Sequence, residues 1–209
     1  MFGFLLRMAL LGCGIAGNAD FLLSNDELAF LYSMPGGKNR FLSYLCNNIA
    51  ICTLVLGVFK KISLFRRIHS LMMTFSLSFQ FTMVTIYWTY KNTFPKYARL
   101  IRTGDQRLDV FIEYARHLAL FLACLVDPFM LPRCSKFLRI ILFGFSSGYI
   151  AMLCHLHTTH GFWAYLFLEH VDGVQKCAFF ACLILLPQIF YTILLIFMPS
   201  RAPKTRKSQ

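Results

Sequence analysis

The sequence predicts an all-α polytopic membrane bundle of about six transmembrane helices. Three observations carry that expectation. The 209 residues are 57% hydrophobic and only 14% charged, too little polar surface to clothe a water-soluble globule. Phenylalanine alone fills 23 positions, and the mean hydropathy is +0.59. Apolar runs of roughly 18 to 22 residues, enough to cross ~30 Å of hydrocarbon as helix, recur along the chain.

In order, the runs are 2–19, 41–59, 71–90, 110–131, 140–156 and 177–198. The second, third and sixth carry no charged residue, whereas the first holds Arg7, the fourth holds Glu113, Arg116 and Asp127, and the fifth is short. Residues 1–200 thus read as one multipass domain and 201–209 as a basic cytosolic tail. A second reading of the first run is a cleaved signal peptide, because Arg7 precedes a short apolar stretch and Ala16-Gly17-Asn18-Ala19 is similar to a small-residue cleavage site.

Basic residues near helix ends stay on the cytoplasmic side, which orients the bundle. With both termini inside, the cytoplasmic segments hold Arg7, Lys60, Lys61, Arg66, Arg67, Arg133, Lys136, Arg139, Arg201, Lys204, Arg206 and Lys207, twelve in all. The other face holds eight: Lys38, Arg40, Lys91, Lys96, Arg99, Arg102, Arg107 and Lys176. The net charge of +12 therefore reads as topology and contact with anionic headgroups. Nucleic acid is not expected as a partner, since no basic segment interleaves aromatics in a soluble domain. The eight cysteines show neither paired nor metal-knuckle spacing and read as buried thiols. Cys134, between Arg133 and Lys136, is a palmitoylation candidate. The chain is expected in the endoplasmic reticulum or the plasma membrane, and no motif names a protein partner.

Two polar residues stand out within this apolar chain: Ser43, at the head of the second run, and His117, inside the fourth. A hydroxyl and an imidazole are expensive in lipid, and together they are the minimum apparatus for nucleophilic ester cleavage. If both runs begin at the non-cytoplasmic face, Ser43 lies ~3 Å and His117 ~11 Å along their helices, close enough in depth to meet. Asp127 is ten residues beyond His117, about 15 Å deeper, too far to orient its ring. Glu113 precedes His117 by one turn and is placed for that role. The bland alternatives are a Ser bonded to its own backbone and a His that packs or relays protons.

Three stretches carry a resemblance. They are Gly37-Lys38-Asn39-Arg40-Phe41-Leu42-Ser43; then Trp88-Thr89-Tyr90 through Phe94-Pro95-Lys96 to His117 and Asp127; and Ser147-Gly148-Tyr149-Ile150, His157 and Gly161-Phe162-Trp163-Ala164-Tyr165-Leu166-Phe167-Leu168-Glu169-His170. Together they resemble the androgen-induced gene family of multipass membrane proteins. The resemblance implies a hydrolase of fatty acid esters of hydroxy fatty acids, with a Thr nucleophile and a His base inside the membrane and no cofactor. By position, Ser43 stands for the Thr and His117 for the base; Ser keeps the hydroxyl and loses a stiffening methyl. The partner implied is a branched lipid ester drawn from the bilayer. The chain departs from the family at Leu166, where a Pro is usual, and at Tyr114, where a second His is usual, so it reads as a divergent member.

The implied chemistry is attack by Ser43 Oγ on the ester carbonyl, with His117 taking the proton and returning it to the leaving alkoxide. Asn47 and Asn48, one turn beyond Ser43, are either oxyanion donors or helix–helix bonding partners. No GxSxG elbow is present, which excludes an α/β-hydrolase. Two rivals stand. A histidine metal cluster of His117, His155, His157, His160 and His170 would suit lipid desaturation or hydroxylation. A lipid-binding or regulatory membrane protein would keep the fold without turnover.

Overall fold

The computed structural model of the chain describes residues 2–19, 29, 32–33, 35, 37–95, 106–127 and 136–197. The basic tail from Arg201 and the palmitoylation candidate Cys134 lie outside the described residues. Among those described, the chain is helical and contains no strand. Helix α1 covers Phe2–Asn18, and α2 covers Leu42–Leu56 with a 3-10 turn, Gly57–Phe59, at its end. Helix α3 covers Ser63–Thr93. Helix α4 runs through Gln106–Tyr114, a π-helical turn at Ala115–Ala119, and Leu120–Val126. Helix α5 covers Lys136–His160, the short α6 covers Phe167–His170, and α7 covers Gly173–Phe197.

Among the described residues, three helices are long and apolar enough to cross a membrane: Leu42–Phe59, α5 and α7. Helix α1 is apolar but shorter, at 17 residues. Helix α3 has ample length, but it carries Thr74, Ser76, Ser78, Gln80 and Thr82, all buried and distributed on both sides of the helix. The hydroxyls among them are bonded inside the protein. Thr74 Oγ1 donates to the Ser70 carbonyl, Ser78 Oγ to Thr74 and Thr82 Oγ1 to Ser78, each at 2.9 Å, and Thr53 Oγ1 meets Ser76 Oγ at 3.0 Å. Such back-bonding lets hydroxyl side chains, which lower the helix's hydropathy, sit in the bundle without water.

Contacts at the helix ends give an up-and-down arrangement. At one end Asp127, closing α4, meets Arg7 of α1 and Lys60 of the α2–α3 turn. At the other end Asn18 of α1 donates to Asn48 of α2 at 2.9 Å, and Tyr149 of α5 reaches the start of α2. One core cluster joins Leu42, Cys46, Phe79, Leu142, Leu153, Trp163 and Leu168; a second joins Leu11, Leu54, Met73, Leu77, Leu120 and Phe190. Pro187 lies inside α7 and offers no N–H to the Leu183 carbonyl. Ser146 Oγ of α5 donates to that carbonyl at 2.8 Å, filling the gap.

Candidate functional site

Ser43 is the second residue of α2, and the entry to that helix is fixed from outside it. Phe41, at the N-cap, offers no side-chain cap bond to the free N–H groups. Two tyrosine hydroxyls take over. Leu42 N–H points to Tyr149 Oη at 2.9 Å and Tyr165 Oη at 3.1 Å, the hydroxyls stand 3.0 Å apart, and Tyr149 Oη donates to the Arg40 carbonyl at 2.8 Å. The backbone on both sides of Phe41 is thus clamped by α5 and the segment leading to α6, one residue before Ser43. Gly161, with φ +73°, closes α5 and starts that segment; a side chain there would be strained.

His117 sits in the π-helical turn of α4, and both it and Ser43 are buried. Such single wide turns cost regular hydrogen bonding and often mark functional positions. Helix α1 holds this one from behind. A Cβ on Gly17 would lie 2.7 Å from Arg116 N and 2.8 Å from Ala115 C, so backbone packs on backbone, and Arg116 Nε donates to the Gly17 carbonyl at 3.0 Å. Helix α2 holds it from the front. Asn47 Nδ2 donates to the Arg116 carbonyl at 2.9 Å while Asn47 Oδ1 accepts from Gln80 Nε2 at 3.0 Å. Asn47 is one turn beyond Ser43, so the helix carrying the hydroxyl is bonded directly to the turn carrying the imidazole. Asn47 and Asn48 therefore serve helix–helix bonding.

Glu113 does not orient His117. Its carboxylate accepts from the Tyr87 hydroxyl and pairs with Lys91 Nζ at 2.6 Å, both on α3. The physical reason is the wide turn between the two residues, which breaks the regular α spacing expected to align them. The imidazole instead lies flat on the Tyr87 ring, centroids 3.6 Å apart and planes within 9°. His117 Nδ1 has no hydrogen-bond partner, and among the described residues no hydrogen bond joins Ser43 to His117. The two residues are held in adjoining elements without being in contact as an acid–base pair.

The other histidines are dispersed. His157 stacks on Trp163 at 4.2 Å, His155 Nδ1 is 3.3 Å from Thr159 Oγ1, and His160 is exposed beside Phe162. Among the described residues no three His, Cys, Asp or Glu side chains are gathered as a metal would need. Asp127 stands at the far end of α4, as its spacing from His117 requires, in a cluster with Arg7, Lys60 and His69.

The FAR-17a/AIG1-like protein family matches residues 18–198, a stretch that holds Ser43, His117, Tyr149 and Tyr165. The chain belongs to this family. No curated protein and no solved structure matches it. Within the family stretch, the Ser-Gly-Tyr and Trp-Ala-Tyr strings contribute the two clamp hydroxyls, a role that sequence reasoning did not reach. Gly17 and the Tyr87 stack were missed too. A glycine beside Asn18 in an apolar helix was the only signal for the first; nothing along the chain links Tyr87 to His117, thirty residues away.

Proposed function

We propose that this FAR-17a/AIG1-like protein is an integral membrane esterase that hydrolyses fatty acid esters of hydroxy fatty acids. Ser43 is the nucleophile and His117 the general base, working without a cofactor. The observation that carries the reading is the Asn47 bond to the Arg116 carbonyl, which links the helix of Ser43 to the buried π-turn of His117. The site faces an apolar bundle, consistent with a lipid that enters from the bilayer with its ester part-way along the chain. Six spans, with α1, α3 and α4 crossing beside the three most apolar helices, fit the alternating helix directions. Both termini then face the cytosol, and the endoplasmic reticulum or plasma membrane is the location.

In the reaction, Ser43 Oγ attacks the ester carbonyl and its proton passes to His117, which protonates the departing alkoxide; water then releases the acid from Ser43. Substrate binding must bring the hydroxyl and the ring into hydrogen-bond contact, because apo geometry in such sites is often loose. A second reading is a lipid-binding protein without turnover, and the absence of a Ser43–His117 hydrogen bond among the described residues favours it. Membranes carrying wild type, Ser43→Ala or His117→Ala at matched expression decide between them. The esterase reading expects both variants to lose activity by at least ~100-fold. Wild type without activity, or variants equal to it, leaves lipid binding.

A further inference from the structure

The end of the bundle away from Ser43 has a charge imbalance that the esterase reading does not use. No Asp or Glu occurs in 28–104, 128–168 or 173–209, so the α2–α3 turn, the α4–α5 connection and the end of α7 contain no carboxylate besides Asp127. That carboxylate is already shared. Its Oδ2 lies 2.7 Å from Arg7 Nη1 and its Oδ1 3.1 Å from Lys60 Nζ. Lys61, Arg66 and Arg67 are left exposed, with no side-chain partner among the described residues.

The surface around them is not that of a soluble loop. Val58, Phe59, Ile62 and Leu64 are each half or more exposed, two of them before Lys61 and two between Lys61 and the Arg66-Arg67 pair. Helix α3, which begins here, has 31 residues and so spans ~46 Å, longer than the ~30 Å hydrocarbon layer. If α3 crosses the membrane, as the six-span reading has it, this excess length and the exposed cations at its start put its first turns in the headgroup zone, with the apolar side chains at the acyl boundary and the cations at phosphate height.

We propose that the turn formed by Lys61, Arg66 and Arg67 binds an anionic phospholipid, with phosphatidylserine as the class of headgroup. The guanidinium and ammonium groups hold the phosphate and carboxylate, and Val58, Phe59, Ile62 and Leu64 receive the upper acyl chain. The site is separate from Ser43 and does not depend on ester cleavage.

The test uses the full chain in nanodiscs of phosphatidylcholine with a minority of phosphatidylserine, with retained lipids counted by native mass spectrometry. Wild type should retain phosphatidylserine above its share of the bilayer. Each cation near an anionic headgroup contributes roughly fivefold in affinity, so Lys61→Gln/Arg66→Gln/Arg67→Gln should lose on the order of 100-fold and retain the bulk ratio. The single variants should fall in graded steps, which separates lost binding from misfolding. Lys176→Gln, at the opposite end, should leave retention unchanged. Equal enrichment in the triple variant overturns the proposal, as does equal loss in Lys176→Gln, which would mean net charge alone acts. Displacement of the lipid by inorganic phosphate overturns it as well, since the site would then recognise a free anion.

Discussion

At the residue scale the central question is what orients the His117 ring. Carboxylates usually do this for catalytic imidazoles, and the sequence places Glu113 for it. The structure substitutes an aromatic face, because the wide turn at Ala115–Ala119 spoils the one-turn spacing and Lys91 claims the carboxylate. Tyr87 then has two separable functions, stacking through its ring and bonding Glu113 through its hydroxyl. On the proposed esterase reading, Tyr87→Phe keeps the ring and should retain ester hydrolysis within about threefold, whereas Tyr87→Ala frees the imidazole and should cost roughly 10- to 100-fold, as small misplacements do. Initial rates on membranes at matched expression check this. A larger loss in the Phe variant than in the Ala variant would assign the role to the hydroxyl. Ser43 and His117 stand out as candidates in the sequence because a hydroxyl and an imidazole are costly in lipid and because flanking strings resemble a family. The stack was not legible, since it depends on how far α3 and α4 are rotated about their axes.

At the element scale the site is a junction of four pieces, and two of them can be probed away from the chemistry. Gly17 lets α1 press its backbone on the π-turn, so a methyl there must push the elements apart. Gly17→Ala should lower stability by ~1–3 kcal/mol, the usual cost of overpacking, and, on the proposed esterase reading, reduce hydrolysis with it. Gly12→Ala meets nothing within 4 Å and should leave both unchanged or slightly improved, since alanine favours helix. Thermal unfolding in detergent compares the pair. The second piece is the tyrosine clamp on Leu42. Burial pushes the Tyr165 hydroxyl from 10.0 up to about 12, so the folded protein keeps that proton after the unfolded chain has lost it. The stability this contributes is complete below about pH 10 and disappears as pH rises through about 12. The fall in unfolding midpoint over that interval should be smaller in Tyr165→Phe than in wild type. Identical slopes would mean that the hydroxyl is not held by the clamp.

At the scale of the whole molecule, the helical class and the positions of most helices were legible from apolar run length alone. The runs 41–59, 140–156 and 177–198 fall within or closely overlap the three apolar helices of spanning length. Run length was less decisive for α3 and α4, because both carry polar groups that only tertiary contacts satisfy. Asp127 is the clearest case. A carboxylate near the end of one apolar run and an arginine near the start of another, 120 positions apart, both look like costs until they meet at 2.7 Å. With Lys60 and His69 gathered on the same carboxylate, one side chain ties α1, the α2–α3 turn, α3 and α4. Asp127→Asn would leave Arg7 buried without its counter-charge and should destabilise the bundle by ~3–5 kcal/mol; Lys60, a third exposed, adds little to that figure. Replacing both partners tests whether the pair is a source of stability or only of specificity. Arg7→Met/Asp127→Leu fills the same space without charge, and buried pairs exchanged in this way are often neutral. The double variant should therefore recover most of the single variant's loss in thermal unfolding. If it stays as unstable as Asp127→Asn, the Lys60 bond and the approach of His69 at 3.6 Å carry the stability, and the whole cluster rather than the Arg7 pair closes this end of the bundle.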